Sequence, residues 1–247
     1  MVDPIFAEPR LAAVYDTFDG ERDDLDHYEA LVDEVGARSV LDVGCGTGTL
    51  ACRLAGRGVA VVGLDPAHAS LEVARRKPGA DRVRWVHGDA SAADAALVRT
   101  GVGPVDLVTM TGNVAQVFLT DDAWAATLAA ARAALRPGGA LVFEVREPAR
   151  EAWREWDWAR SFRRAHVPGV GDVEAWVDVT GVRPPLVSFR KTFVFAADGA
   201  TLTSNSTLRF RTRDEVAASL AAAGLTLDEV RDAPDRPGAE LVFLARR

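Results

Sequence analysis

The segment with the clearest chemical signature is a glycine-rich loop between an apolar run and a helical pattern. In VLDVGCGTGTLA, residues 40–51, the apolar run leads directly into Gly44, Gly46 and Gly48. Glycine lets a backbone turn sharply and lets a ligand approach the main chain where a Cβ would collide. The helix that follows presents unpaired N–H groups to a polar or anionic group. The loop predicts a small-molecule site at a strand end, and a simple strand-to-helix turn is the other interpretation.

Two acidic residues further along the chain narrow the class of ligand. Asp65 ends the next apolar run, where a carboxylate can accept two hydrogen bonds from a ribose diol. Asp89 follows a third apolar run, where it can meet the exocyclic amine of an adenine. Each aspartate has a second interpretation as a cap of the helix that follows it. The dinucleotide fingerprint needs a third glycine where this chain has Thr49, which counts against a nicotinamide cofactor.

Polar residues after the fourth and fifth apolar runs are candidates for binding a polar substrate and moving a proton. Ligands of open α/β sheets lie outside the carboxyl ends of the strands. Asn113, Gln116 and Arg146 stand at such ends and are predicted to contact a polar substrate. Glu144 is a candidate general base. The alternatives are that Asn113 and Gln116 only satisfy backbone groups and that Glu144 pairs with an arginine.

Two histidines and two tryptophans complete the set of candidates. His166 is a further candidate base, with weaker support for His87, although FRRAHVPG also fits an exposed loop. Trp153 and Trp156 lie three residues apart, so a helix would place both on one face. Indole rings there attract cationic amines or apolar rings of a substrate. The favoured alternative is that the two rings pack part of the chain onto the main sheet.

The elements that must position these residues follow from hydrophobic periodicity. Five apolar runs alternate with helical patterns between residues 38 and 148, which is typical of a parallel sheet covered by helices on both faces. Helices are predicted at residues 25–35 and 121–136, where apolar residues recur at helical spacing. The predicted strands are Ser39–Val43, Ala60–Asp65, Val83–His87, Val105–Met110 and 140–145.

The pattern changes between residues 149 and 211. A Trp-rich helical piece is followed by runs of period two, which predict two or three antiparallel strands with a hairpin turn at Asp198 and Gly199. The alternation of helical and strand patterns resumes with a helix that begins at a capping box of Thr212 and Glu215. Two predicted strands follow this helix at the end of the sequence. The predicted division is a core of residues 1–148 and 212–247, with 1–37 as an N-terminal helical segment, and an inserted cap subdomain of residues 149–211.

Composition excludes several classes of protein. The chain has 247 residues, of which 48% are hydrophobic and 26% charged, as in ordinary globular domains. A formal net charge of -7 leaves no cationic surplus for nucleic acid. The N-terminus lacks the basic and apolar pattern of a secretory signal, and no apolar run reaches about 18 residues, so we expect a cytoplasmic protein without membrane contact. Two cysteines and four histidines without ligand spacing predict no metal.

These segments resemble, in order, the motifs of the class I S-adenosylmethionine-dependent methyltransferases. The resemblance covers residues 40–144 and rests on LDVGCGTG, VVGLDP, HGDA, VDLVTM and LRPGG. It implies a Rossmann-like, doubly wound α/β fold with a seven-stranded sheet whose last strand is antiparallel. The helical and antiparallel β cap would then be inserted between strands five and six. The implied cofactor is S-adenosyl-L-methionine (SAM), which leaves as S-adenosyl-L-homocysteine (SAH), with no metal.

The resemblance also implies roles for particular residues. The loop at residues 44–48 would line the methionine and ribose of the cofactor, Asp65 would hold the ribose hydroxyls, and Asp89 with Ala90 would face the adenine. Tyr15 would close over the cofactor from the N-terminal segment. The implied cofactor-binding residues are Tyr15, Gly44, Cys45, Gly46, Gly48, Asp65, Pro66, Gly88, Asp89, Ala90, Met110 and Thr111.

The long insertion resembles the substrate-covering elements of small-molecule N- and O-methyltransferases, including those that act on amino sugars. The resemblance therefore implies methyl transfer to a nitrogen or oxygen of a small molecule, by a monomer or a homodimer that pairs through the cap. Two alternatives stay open. One is an NAD-dependent oxidoreductase, which the absent third glycine disfavours, and the other is a non-catalytic SAM-binding scaffold or sensor.

Overall fold

The computed structural model describes residues 2–247, in which eleven strands and nine α-helices follow one another in an α/β order. Strands β1–β5 are Ser39–Val43, Ala60–Asp65, Val83–His87, Val105–Met110 and Leu135–Arg146. Helices α1–α7 are Pro4–Ala7, Pro9–Asp19, Asp24–Glu34, Thr49–Gly56, His68–Ala74, Ala93–Thr100 and Asp121–Ala134. The remaining elements are α8 Trp158–Ser161, β6 Arg163–Val167, β7 Gly171–Arg183, β8 Leu186–Phe195, β9 Thr201–Arg209, α9 Arg213–Ala222, β10 Thr226–Asp232 and β11 Glu240–Arg246.

Seven strands form the main sheet in the order β10-β11-β5-β4-β1-β2-β3. Strand β11 runs antiparallel to both β5 and β10, and the other neighbours are parallel. The prediction of a Rossmann-like seven-stranded sheet with an antiparallel last strand is confirmed. The chain order reverses between β1 and β4, which is where open α/β sheets bind their ligands.

Both faces of the main sheet are buried. Along β1, Leu41 and Val43 join one apolar cluster while Val40 joins the cluster on the opposite face. This alternation follows from the period-two geometry of a strand, and it explains why a strand covered on both sides is apolar nearly throughout.

Four of the five predicted core strands have the predicted bounds, and the fifth differs. Strand β5 begins at Leu135 instead of residue 140, because Leu135 already pairs with Val105 of β4. The preceding helix therefore ends at Ala134, since the backbone of Leu135 is extended. The early predicted helix is found one residue sooner, at Asp24–Glu34.

The inserted segment forms a second, fully antiparallel sheet in the order β6-β7-β8-β9. It has four strands where the sequence predicts two or three, because the short β6 begins with two arginines and buries only Val167. The predicted turn at Asp198 and Gly199 joins β8 to β9. The Trp-rich piece forms two 3₁₀ turns and the short α8.

The N-terminal helices connect the cap sheet to the glycine loop. Ile5, Leu11 and Val14 pack in one apolar cluster with Phe193 and Phe195 of β8. None of the helices in residues 2–247 is long and apolar enough to cross a membrane. The predicted capping box of Thr212 and Glu215 is confirmed at the start of α9. The division of the chain into a core domain and a cap subdomain stays a prediction.

Candidate active site

Two adjoining cavities lie at the carboxyl ends of the main-sheet strands. The loop cavity, beside the glycine loop, has a volume of about 630 Å³. The cap cavity, between the main sheet and the cap sheet, has a volume of about 390 Å³. Both volumes lie in the range of small-molecule sites. The two cavities share six lining residues, which are Asp3, Phe6, Tyr15, Arg22, Gly112 and Val117.

The first half of the glycine loop forms one wall of the loop cavity. Gly44, Cys45 and Gly46 line it, and both glycines have a positive φ, at 71° and 53°. A Cβ on Gly46 would meet no other atom within 4 Å, so the main chain there borders open space. Burial raises the pKa of the Cys45 thiol well above its usual value, which leaves it a neutral lining group.

Gly48 has a different structural role from the two glycines before it. It does not line the loop cavity but stands at the N-terminal cap of α4 with φ 77°. A Cβ there would overlap the Trp85 ring and the Ala74 methyl group. Close packing between helix and sheet accounts for this glycine.

Asp65, at the end of β2, joins the loop cavity to the glycine loop. Its carboxylate accepts hydrogen bonds from Gly46 N at 2.8 Å and from Ala67 N at 2.7 Å. Burial raises the pKa of Asp65, and these two hydrogen bonds oppose the shift. A carboxylate has about four acceptor positions, so it can hold the loop and still accept from a ligand. Pro66 lines the cavity beside it.

The far wall of the loop cavity includes Asp89, Ala90 and Thr111. Asp89 Oδ1 accepts from both Ser91 N and Ser91 Oγ at 2.9 Å, so it caps the short 3₁₀ turn that follows β3. Two other residues of the predicted set lie behind this wall. Met110 is fully buried in the core, and Gly88 donates its N–H to the Asp65 carbonyl.

Sequence reasoning missed Asp42, which also lines the loop cavity. It lies within β1 and is 1% exposed. Burial raises the pKa of Asp42 to about 7, while a 2.8 Å hydrogen bond donated by Thr109 Oγ1 opposes the shift. The available signal was an acidic residue inside an apolar run that has to be buried on both faces.

The cap cavity brings Glu144 and Asn113 together. Glu144 Oε1 accepts from Asn113 N at 2.8 Å, and Asn113 Nδ2 donates to Glu240 at 3.1 Å. Among the described residues, neither Glu144 Oε2 nor Asn113 Oδ1 has a hydrogen-bond partner, and both atoms are buried. Burial, reinforced by the neighbouring charge of Glu240, raises the pKa of Glu144 to about 8.

Gln116 supports Arg146 instead of facing a cavity. Gln116 is fully buried and lines neither cavity. Its Oε1 accepts from Arg146 Nη1 at 3.3 Å and from Arg146 N at 3.4 Å. Arg146 itself lines the cap cavity, with its guanidinium carbon 5.4 Å from the Trp156 ring centre.

The two candidate tryptophans occupy different environments, and only one of them lines a cavity. Trp156 lines the cap cavity and packs edge-to-face on Phe189, with ring centres 5.0 Å apart. Trp153 is buried against Phe210, with ring centres 4.6 Å apart, and lines neither cavity. Packing of the cap explains Trp153, whereas Trp156 belongs to the cavity wall.

The structure does not bring the two candidate histidines to either cavity. His166 lies in β6 with 72% of its side chain exposed, and its Nδ1 is 2.8 Å from Asp172. His87 is exposed at the end of β3, with its Nε2 2.9 Å from the Pro66 carbonyl oxygen.

Lys191 of β8 is a second residue that sequence reasoning left without a role. It lines the cap cavity, with Nζ 6.0 Å from the centre of the Tyr15 ring. Burial lowers the pKa of Lys191. The available signal was a lysine on the apolar face of a period-two run, between Phe189 and Phe193. No group of three or more His, Cys, Asp or Glu side chains suited to a metal occurs in the described chain.

Comparison with known proteins finds methyltransferase sequences that match part of the chain. Residues 40–139 match the sequence model described as a methyltransferase domain. The chain is 34% identical over 112 residues to a cypemycin N-terminal methyltransferase of Streptomyces sp, covering 45% of this chain and 43% of that protein. An uncharacterized methyltransferase of Mycobacterium tuberculosis is 41% identical over 71 residues, covering 28% of this chain and 36% of that protein. The chain thus spans less than half the length of these relatives.

Similarity to solved structures extends over nearly the whole chain. A SAM-bound amino pentose methyltransferase of Micromonospora echinaspora is 28% identical, with a TM-score of 0.71 and 95% of each chain covered. A sugar N-methyltransferase of Streptoalloteichus sp has the same fold at 21% identity, with a TM-score of 0.76 and 94% and 90% of the two chains covered.

The fold and the glycine loop therefore define a Rossmann-like methyltransferase architecture with a cap. The sequence model matched by residues 40–139 and the solved neighbours are those of S-adenosylmethionine-dependent methyltransferases, in agreement with the resemblance to the class I enzymes.

Proposed function

We propose that this protein transfers a methyl group from SAM to a nitrogen or oxygen atom of a small molecule. The single observation that carries the proposal is the pair of adjoining cavities, one beside the glycine loop and one beneath the cap, that share Tyr15 and Gly112. A group-transfer enzyme needs such an arrangement, because donor and acceptor must meet in a fixed orientation.

The loop cavity suits the cofactor on three grounds. The main chain of Gly46 borders open space, so a ligand can lie against it. Asp65 and Asp89 present carboxylates to the same cavity, as a ribose diol and an adenine amine would require. When bound, SAM supplies a methyl group on a positively charged sulfur.

The residues of the cap cavity act on the acceptor. Glu144 Oε2 is buried without a partner, so in its ionised form it can accept a proton from an amine or a hydroxyl. Its raised pKa suits a base that works near neutral pH. Tyr15 and Phe6 border both cavities and keep water from the space between them.

The relatives support a small-molecule acceptor without deciding its atom. The solved neighbours include an amino pentose methyltransferase and a sugar N-methyltransferase, and a curated relative is named a cypemycin N-terminal methyltransferase. Nitrogen is therefore the acceptor we test first, with oxygen as the second. We also propose a cytoplasmic enzyme, either a monomer or a homodimer through the cap.

The proposal is tested by measuring methyl transfer directly. Purified protein is incubated with SAM and a panel of small amines and alcohols, and mass spectrometry measures the methylated product and SAH. We expect one mole of SAH for each mole of methylated acceptor. If SAH binds but every acceptor is recovered unmethylated, the result favours the scaffold alternative. If NADH binds and SAH does not, the result favours the oxidoreductase alternative.

A further inference from the structure

The cap cavity contains two cations that form no salt bridge within the described chain, although Glu144 and Glu240 act on one of them and Asp19 on the other. Lys191 of β8 and Arg146 at the end of β5 both line it. Among residues 2–247, neither side chain forms a salt bridge with an Asp or Glu. A buried cation without a counter-charge is unfavourable, because it has lost its hydration.

The other cations of the cap cavity are compensated within the protein. Arg22 pairs with Asp19 at 3.0 Å and with Asp24 at 2.8 Å. Arg236 pairs with Glu240 at 2.8 Å and with Asp235 at 3.4 Å. Lys191 and Arg146 are therefore a distinct pair, contributed by the cap sheet and the main sheet respectively.

Aromatic rings and an amide hold the two cations without neutralising them. Lys191 Nζ lies 6.0 Å from the Tyr15 ring centre, and the Arg146 guanidinium lies 5.4 Å from that of Trp156. A ring face attracts a cation through its quadrupole but removes no charge. Gln116 Oε1 accepts from Arg146 at 3.3 Å, which fixes the direction of the guanidinium.

Burial lowers the pKa of both cations of this pair. Burial lowers the pKa of Lys191, Asp19 opposes that change, and the charge of Arg146 adds to it. Burial also lowers the pKa of Arg146, while the charges of Glu240 and Glu144 oppose that change. An anion between the two side chains would relieve both effects.

The same cavity contains two buried oxygen atoms that can accept hydrogen bonds once Glu144 is ionised. Glu144 Oε2 and Asn113 Oδ1 have no partner in the described chain. An amine or a hydroxyl group donates such hydrogen bonds, and a carboxylate or phosphate does not. The cavity therefore has one part suited to an anion and another suited to a donor.

We propose that Lys191 and Arg146 bind an anionic group of the acceptor, a carboxylate or a phosphate, while Glu144 and Asn113 accept hydrogen bonds from its nucleophilic amine or hydroxyl. The acceptor is then an amino or hydroxy acid, or a phosphorylated amine or alcohol. This inference rests on the proposed function for calling the ligand an acceptor. The anion subsite itself does not depend on methyl transfer.

Calorimetric titration with simple anions tests the subsite. The full chain, saturated with SAH, is titrated with inorganic phosphate and separately with acetate at constant ionic strength. We expect saturable binding of at least one anion, weakened by about tenfold or more in Lys191→Met and in Arg146→Met through loss of a charge-assisted hydrogen bond. Phosphate binding alone indicates a phosphorylated acceptor, and acetate binding indicates a carboxylate.

Matched variants separate the subsite from general charge and folding effects. Lys191→Arg keeps the charge and should retain binding. Arg183→Met removes an exposed charge that lines neither cavity, and it should bind as the wild type does. SAH affinity measured on every variant reports folding and the cofactor site. If the protein bound phosphate but not SAH, the proposed function would be contradicted and the anion subsite would not.

A labelling experiment needs no variant. Lysine occurs only at positions 77 and 191 in the sequence. We expect phosphate or acetate to slow the acetylation of Lys191 by acetic anhydride while Lys77 reacts at an unchanged rate, as read by mass spectrometry. Three results would contradict the proposed anion subsite. Neither anion shows saturable binding, Lys191→Met binds anion with wild-type affinity, or Lys191 is labelled at the same rate with and without anion.

Discussion

At the residue scale, Asp65 both holds the glycine loop and faces the loop cavity. We predict that Asp65→Ala weakens SAH binding by about 1–3 kcal/mol, because charged hydrogen bonds to the ligand are lost and the Gly46 N–H loses its acceptor. Calorimetric titration of SAH measures the change. Asp81→Ala removes an exposed acidic charge outside both cavities and should leave the affinity unchanged. Equal affinity in the wild type and Asp65→Ala would remove Asp65 from the site.

Gly46 and Gly48 should respond differently to a methyl group. Both have a positive φ, so alanine costs about 1–2 kcal/mol of unfolding free energy at either position. At Gly48 the added Cβ also overlaps Trp85 and Ala74, which should cost about 1–3 kcal/mol more. At Gly46 it points into open space, so SAH affinity should fall instead. Denaturant unfolding and SAH titration measure the two effects, and equal losses of stability would contradict this distinction.

Glu144 should make both activity and stability depend on pH. Its pKa is raised from 4.5 to about 8, so between these values the folded protein keeps a proton that the unfolded chain has lost. The contribution to the unfolding free energy is therefore full below about pH 4.5 and is lost as the pH rises through 8. As a base, Glu144 works only when ionised, so the rate of methyl transfer should rise through the same pH.

The variant Glu144→Gln tests both consequences. It should lower the rate about 10²–10⁴-fold and remove the rise near pH 8. It should also lose less unfolding free energy than the wild type between pH 6 and pH 9. Glu72→Gln, on an exposed helix surface, is the control. A wild-type pH profile in Glu144→Gln would show that another group takes the proton.

At the element scale, helix α2 is tied to the glycine loop by one carboxylate. Asp16 accepts from Thr47 Oγ1 at 2.5 Å and pairs with Lys77 at 2.8 Å. Because α2 also carries Tyr15, which borders both cavities, we predict that Asp16→Ala speeds SAH release about two- to fivefold, as fits a partly exposed ion pair. Stopped-flow kinetics measures the rate of SAH release. We also expect faster amide hydrogen exchange in α1 and α2 of the variant.

The control for this prediction removes a comparable ion pair that lies away from the cavities. Asp33→Ala removes the surface pair of α3 with Arg57 and should leave SAH release unchanged. An unaltered release rate in Asp16→Ala would mean that the N-terminal helices do not retain the cofactor.

The accuracy of the sequence predictions also varies by element. The parallel strands were predictable because burial on both faces makes them apolar nearly throughout, as in Val105–Met110. The cap strand β6 was not, since Arg163, Arg164 and His166 are exposed and only Val167 is buried. The start of β5 was missed because Pro137, Gly138 and Gly139 read as a helix stop, whereas the strand continues through them.

At the scale of the whole molecule, the candidate site is assembled from distant parts of the chain. Local motifs predicted the loop cavity, because Gly44, Gly46 and Asp65 lie at strand ends that a parallel sheet brings to one edge. The cap cavity was only partly predictable. Lys191 of the cap sheet and Arg146 of the main sheet line one cavity only through the packing of the cap, which no local pattern encodes.

The central claim is that the loop cavity binds an adenosyl sulfonium compound rather than a dinucleotide. Titration of the wild-type protein with SAH, with and without excess NADH, tests it most directly. We expect one SAH per chain, an affinity that NADH does not alter, and a stabilisation of about 2.7 kcal/mol at a concentration a hundred times the Kd. No heat from SAH, or displacement of SAH by NADH, would contradict the account.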